Sequence, residues 1–154
     1  MSRFRPALIG GVVIGLLSSI PIVSIGNVCC CLWVVLGGLL TTYLDQQRRP
    51  EPIETADAVL GGLVAGLIGS VISCAISAAI FAATGALVQE SIRNAIEGNS
   101  QIPPEWRDRI VGFTAHGGMM VIIFAITVPV YAIFAMLGAL LGVAFFKKKT
   151  PPPA

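Results

Sequence analysis

Charge in this chain is confined to four short islands, and the neutral stretches between them are too long and too apolar for a soluble domain. Arg3 and Arg5 open the chain. Asp45 to Asp57 form a second island containing Arg48 and Arg49, Glu90 to Arg109 form a third, and Lys147, Lys148 and Lys149 close the sequence. Of 154 residues only 12% are charged and 55% are hydrophobic, whereas a soluble domain carries roughly 25% charged residues. A globule of this size could not cover itself with polar groups, so the surplus apolar surface must face lipid. The net charge of +2 is too small to indicate a nucleic-acid partner.

A spanning helix needs about 20 apolar residues. The first neutral stretch, Ala7 to Leu44, holds two spans separated by the turn dipeptide Gly26-Asn27, with Pro21 near the end of the first. The stretches Ala58 to Gln89 and Ile110 to Phe146 are each longer than one span and shorter than two with a turn. Pro129 can kink the last helix, but Val128-Pro129-Val130 offers no polar turn. The expected fold is therefore all-α, an integral membrane protein with four transmembrane helices arranged as two tandem hairpins. Hairpin 1 covers residues 7–44, a cytoplasmic loop 45–57, hairpin 2 residues 58–146 with an outer tip at about 89–109, and a cytoplasmic tail 147–154.

Orientation follows from Lys and Arg in short loops. With the N-terminus inside, the inner face carries seven basic residues: Arg3, Arg5, Arg48, Arg49 and the three lysines. The outer face carries three, Arg93, Arg107 and Arg109, set among Glu90, Glu97, Glu105 and Asp108. This bias places both termini in the cytoplasm and the chain in the cell's inner membrane as a multi-pass protein. Arg3 to Ile20 has the basic start and apolar core of a signal peptide, but no small-x-small cleavage site precedes Pro21 and another span follows at once.

The chain also reads as an internal duplication. Ala7 to Ile20 (ALIGGVVIGLLSSI) aligns without gaps on Ala58 to Val71 (AVLGGLVAGLIGSV), with seven of fourteen positions identical. Leu36 to Leu40 (LGGLL) likewise matches Leu137 to Leu141 (LGALL), with Trp33 and Phe134 at the same offset. Two hairpins that both enter from the inside imply parallel repeats about an axis along the membrane normal.

Lipid tails are as apolar as leucine, so membrane helices associate through close packing of small residues. Gly11-xxx-Gly15, Gly62-xxx-Gly66 and Gly138-xxx-Gly142 set such residues one turn apart, and Gly69 extends the third helix's face. Hairpin 2 is also too long for the bilayer. Ala58 to Val88 and Ile110 to Phe146, if helical, reach about 46 and 55 Å at 1.5 Å per residue, against a hydrocarbon core of about 30 Å. It is expected to project outward, with Pro103-Pro104-Glu105 starting a helix at the tip. Small residues at Gly112, Ala115, Gly117 and Gly118 should let its two helices approach closely. Phe81, Phe113, Val121, Ile122 and Phe124 should then face outward as contacts for a protein partner.

Chemistry is sparse. Cys29-Cys30-Cys31 point about 100° apart on a helix and cannot form a metal site from one element, so they and Cys74 read as small apolar packing residues. His116 is an ionisable residue in an apolar stretch, which makes it a functional candidate by default, and Asn27 is a second candidate at the first outer turn. Neither has an acidic partner at membrane depth, and Ser18, Ser19, Ser70, Ser73 and Ser77 have no base other than His116. The glycine-rich segments lack the GK[ST] of a phosphate loop. No catalytic, cofactor-binding or metal-binding residues are expected.

Asn27 to Tyr43, with its Cys31-Leu32-Trp33-xxx-Gly37-Gly38 pattern, followed by Ala58 to Gly69, resembles a group of small, uncharacterised prokaryotic multi-pass membrane proteins. The resemblance implies a membrane setting and carries no activity. Two functions fit the residues. One is a non-enzymatic membrane subunit, structural or accessory, that packs against copies of itself or a larger complex in the lipid bilayer. The alternative is a small channel- or transporter-like protein with a pathway between the repeats, lined by Ser, Thr and Asn27.

Overall fold

The computed structural model describes residues 4–20, 31–99, 102–115 and 118–146. Among these residues the chain is entirely helical apart from short connections. In chain order the helices are α1 (Phe4–Ser19), α2 (Leu32–Arg48), α3 (Thr55–Glu97), α4 (Pro104–Ala115) and α5 (Gly118–Phe146). The expected turn at Gly26-Asn27, together with Cys29 and Cys30, lies outside the described residues.

Helices α1, α2, α3 and α5 form a four-membered bundle. Going round it, α1 touches α3, α3 touches α5, α5 touches α2, and α2 touches α1. Helices α2 and α3 also meet across the short diagonal, while α1 and α5 stay apart at opposite corners. The core is made of small and β-branched side chains: Ala7, Ile14, Val34, Ala65 and Ala135, closed at one end by Tyr131. Small residues dominate because hydrophobic transfer adds nothing between helices in lipid, and backbones must approach closely to gain dispersion contacts.

Helix α3 runs unbroken for 43 residues, about 65 Å at 1.5 Å per residue. It begins in the second charge island and ends in the third, so the stretch expected to stop near Gln89 continues as helix through Glu97. Lipid-compatible residues cover its first half on all sides. In its second half Ala, Ile and Leu give way to Gln89, Glu90 and Arg93. Within the stretch Ile110 to Phe146, helix is described up to Ala115 in α4 and from Gly118 onward in α5, residues 116–117 lying outside the described residues. Pro129 lies inside α5.

The connection between α3 and α4 is capped by arginine. Arg107 donates from Nε to the carbonyl of Ile102 (2.8 Å) and from its terminal nitrogen to that of Asn99 (2.9 Å). Pro104 and Glu105 occupy the first turn of α4, where a missing N–H costs nothing and a carboxylate suits the helix dipole. Helices α3 and α5 are each long and apolar enough to cross a membrane, and α1 is a shorter apolar helix.

Candidate functional site

The glycines picked out by spacing lie against several different neighbours. Gly11 and Gly15 of α1 face α3: added β-carbons would come within 2.8 Å of Ile68 and 2.6 Å of Ile72. Gly69 of α3 returns the contact at Ile14, 2.6 Å away. Gly62 and Gly66 face α5 instead, 2.7 Å from the carbonyl oxygen of Ala135 and 2.6 Å from that of Tyr131. On α5, Gly138 abuts the backbone of Val35 and Gly142 abuts Thr42. The aligned pairs Gly11/Gly62 and Gly15/Gly66 therefore serve different interfaces.

Sequence spacing missed several members of this surface. Gly10 and Gly37 lock α1 to α2 beside Thr41 and Ile14, and Gly38 sits on the backbone of Ala135. Thr42 adds a polar bridge between α2 and α5. Its hydroxyl donates to the carbonyl of Ala139 at 3.1 Å, and both residues are buried. The signal was present in the sequence: Thr41-Thr42 lies one turn after Gly37-Gly38, a small-residue ridge continued by hydroxyls.

The proposed partner-contact residues are distributed unevenly. Phe113, Val121, Ile122 and Phe124 are exposed, Val121 to 68%. Phe81 departs from expectation: it is half-buried, and its ring lies 3.5 Å from where a β-carbon on Gly85 would be. Exposed apolar residues on the distal part of α3 are instead Ile80, Leu87 and Val88. The close approach expected at Gly112 is not made, since an added β-carbon would meet nothing within 4 Å. Gly118 packs against the ring of Phe113. Among the side chains of short α4 whose burial is described, only Thr114 is buried.

The second charge island folds into a polar junction. Arg49 pairs with both oxygens of Asp45 (3.1 and 3.0 Å) and with Oδ2 of Asp57 at 2.6 Å, so one guanidinium ties the end of α2 to the start of α3. The bond to Asp57, followed by that to Asp45, holds Arg49 above its ordinary pKa despite partial burial, and it stays cationic. Beside it Gln46 is buried and doubly bonded. Its Oε1 accepts from the N–H of Ile53 (2.8 Å) and its Nε2 donates to the carbonyl of Glu51 (3.0 Å). Ile53, also buried, anchors the loop between the helices.

Above the junction, α1, α2 and α3 diverge to leave a cleft of about 210 Å³. Its walls are Phe4, Pro6, Ala7, Leu60, Gly61 and Val64, and its polar rim is Thr41, Asp45, Arg49 and Asp57. A wider open depression on the loop side is bordered by Arg48, Glu51 and Glu54 as well.

The remaining candidates supply little chemistry. His116 and Asn27 lie outside the described residues. Cys31 starts α2 in the left-handed region (φ 50°), which is costly for a residue with a side chain, and Cys74 is half-buried on α3. The hydroxyls of Ser19, Thr41 and Ser70 each donate to a carbonyl of their own helix, at 2.6, 2.9 and 2.8 Å. Among the described residues no group of three His, Cys, Asp or Glu side chains could hold a metal ion.

No curated protein and no solved structure matches the chain. A family model described as the MJ1491 transmembrane domain matches residues 4–150, nearly the whole sequence. That description agrees with two helices able to span a bilayer and with glycine-mediated contacts throughout the bundle. This is a membrane protein, and it belongs to the MJ1491 transmembrane domain family.

Proposed function

We propose that the chain is a non-enzymatic, multi-pass subunit of the cell's inner membrane that seats another protein on its outer hairpin. In this reading α1, α2, α3 and α5 each cross the bilayer once, both termini are cytoplasmic, and the two hairpins descend from a duplication. The seven-to-three distribution of basic residues supports the orientation. The antiparallel contacts of α1 with α2 and of α3 with α5 support the hairpins.

The observation that carries the proposal is the length of α3. If the second charge island marks the inner boundary, about 20 residues exhaust the hydrocarbon core, and lipid cover ends near Ser77. Beyond that point Ile80, Leu87 and Val88 remain exposed, with Ala82, Ala83 and Ala86 between them and Ala78 and Ala79 just before. Contiguous apolar surface of that kind in water marks an interaction site, and a second protein is its natural cover.

The test is assembly size. Wild type and a Leu87→Glu, Ile122→Glu variant are extracted in mild detergent and sized by native gel and mass photometry. The proposal expects a complex in wild type that the variant loses. A lone wild-type monomer, with no crosslinked partner in native membranes, overturns it. Topology is tested separately by cysteine labelling in a background with the native cysteines replaced. Arg48→Cys should react only from the inner side and Gly98→Cys only from the outer.

A further inference from the structure

The cleft between α1, α2 and α3 has two features that packing alone does not require. The first is Gly61. Its neighbour Gly62 and its sequence-aligned counterpart Gly10 both face backbone at distances that forbid a β-carbon, but a β-carbon on Gly61 would meet only the methyl of Thr41, at 3.4 Å. Glycine here keeps space open rather than bringing two helices together. The second is the rim, which sets two carboxylates, Asp45 and Asp57, against one guanidinium, Arg49. Arg49 engages both oxygens of Asp45 but Oδ2 of Asp57, so Oδ1 of Asp57 is left to another donor. Among the described lining groups the balance is one negative charge at the mouth of an apolar slot.

We propose that this cleft binds a membrane lipid with an amine-bearing zwitterionic head, of the phosphatidylethanolamine type, with one acyl chain along Gly61 and its ammonium on Asp57. A volume of 210 Å³ equals that of about seven waters, enough for a stretch of one chain and not two. The apolar wall suits the chain, and the excess carboxylate suits an ammonium with N–H donors. Arg48, on the adjoining depression with Glu51 and Glu54, stands where the lipid phosphate would emerge. An anionic head such as phosphatidylglycerol would bring its phosphate to the same rim with no cation for Asp57. The occupant comes from the surrounding bilayer, because the cleft lies where the bundle meets the second charge island. The proposal is independent of the partner assigned to the outer hairpin, which lies at the other end of α3.

The test uses the full chain in micelles containing equal amounts of phosphatidylethanolamine and phosphatidylglycerol with identical acyl chains, read by native mass spectrometry. Wild type should retain one phosphatidylethanolamine over phosphatidylglycerol by about tenfold, the ratio one charge-assisted hydrogen bond gives. Asp57→Asn should abolish the preference, and Gly61→Leu should abolish retention while thermal unfolding shows the fold intact. Equal or preferential retention of phosphatidylglycerol by wild type overturns the proposal, as does unchanged retention in Gly61→Leu. If Gly61→Leu does not fold, Asp57→Asn decides: a preference that survives it refutes the site.

Discussion

Gly66 lies so close to Tyr131 that a β-carbon on the glycine would stand 2.6 Å from the tyrosine's carbonyl oxygen. The obstacle is backbone, which cannot swing aside as a side chain can. Gly66→Ala should therefore separate α3 from α5 and cost about 1–3 kcal/mol, more than the roughly 1 kcal/mol that alanine gains in helix propensity. Gly66→Leu should cost more still. Denaturation in detergent, followed by loss of helical signal, measures both. Wild-type stability in Gly66→Leu would mean that this face meets only lipid.

Gly112 is the opposite case. Apart from the backbone of its own turn, nothing lies within 4 Å of the position its β-carbon would take, and it sits inside α4. Gly112→Ala should be neutral or stabilising by up to about 1 kcal/mol, from helix propensity alone. A clear loss of stability would show that α4 packs more tightly than its geometry indicates.

Thr42→Val keeps the volume and removes the donor to Ala139. Hydrogen bonds between membrane helices are worth about 0.6 kcal/mol on average and up to about 1.7. The buried position of both groups places the expected loss near the upper end. A Thr42→Ser variant retains the donor and should recover part of that stability, which distinguishes the bond from packing of the methyl group.

Gln46→Leu should be costlier than its position in the last turn of α2 implies. It would leave the buried N–H of Ile53 without its acceptor and the carbonyl of Glu51 without its donor. An unsatisfied buried group costs about 1–3 kcal/mol. By contrast Arg49→Met should cost about 1 kcal/mol, and less at high salt, because its ion pairs are partly exposed. Limited proteolysis of the connection between α2 and α3, residues 49–54, should rise more in the Gln46 variant than in the Arg49 variant. The reverse order would mean that the ion pairs, not the amide, hold the loop.

Helix content and the packing glycines were legible because lipid imposes simple rules. Long apolar stretches must be helical, and small residues one turn apart must be contacts, which is why Gly11, Gly15, Gly62, Gly66, Gly69, Gly138 and Gly142 all meet a neighbouring helix. Periodicity could not say which neighbour. Gly10 and Gly11 are adjacent, yet 100° of helix rotation sends one to α2 and the other to α3. Nor could it separate Gly61, which borders a cleft, from Gly62, which closes an interface. Burial of Gln46 was hidden because its partners, Glu51 and Ile53, are backbone groups that no side-chain pattern advertises. Exposure of Phe81 was misjudged for a local reason: Gly85, one turn on, gives its ring a place to lie against its own helix.

The continuity of α3 makes it a lever. One rod is gripped by Arg49 at Asp57, clasped by α1 and α5 along its middle, and free of the bundle by Glu97. Over the 40 residues from Asp57 to Glu97, about 60 Å, a tilt of about 5° displaces the far end by about 5 Å. A sub-ångström change in how Asp57 is held at the α2–α3 junction thus arrives at the Glu97 end enlarged several-fold, with no hinge between to absorb it.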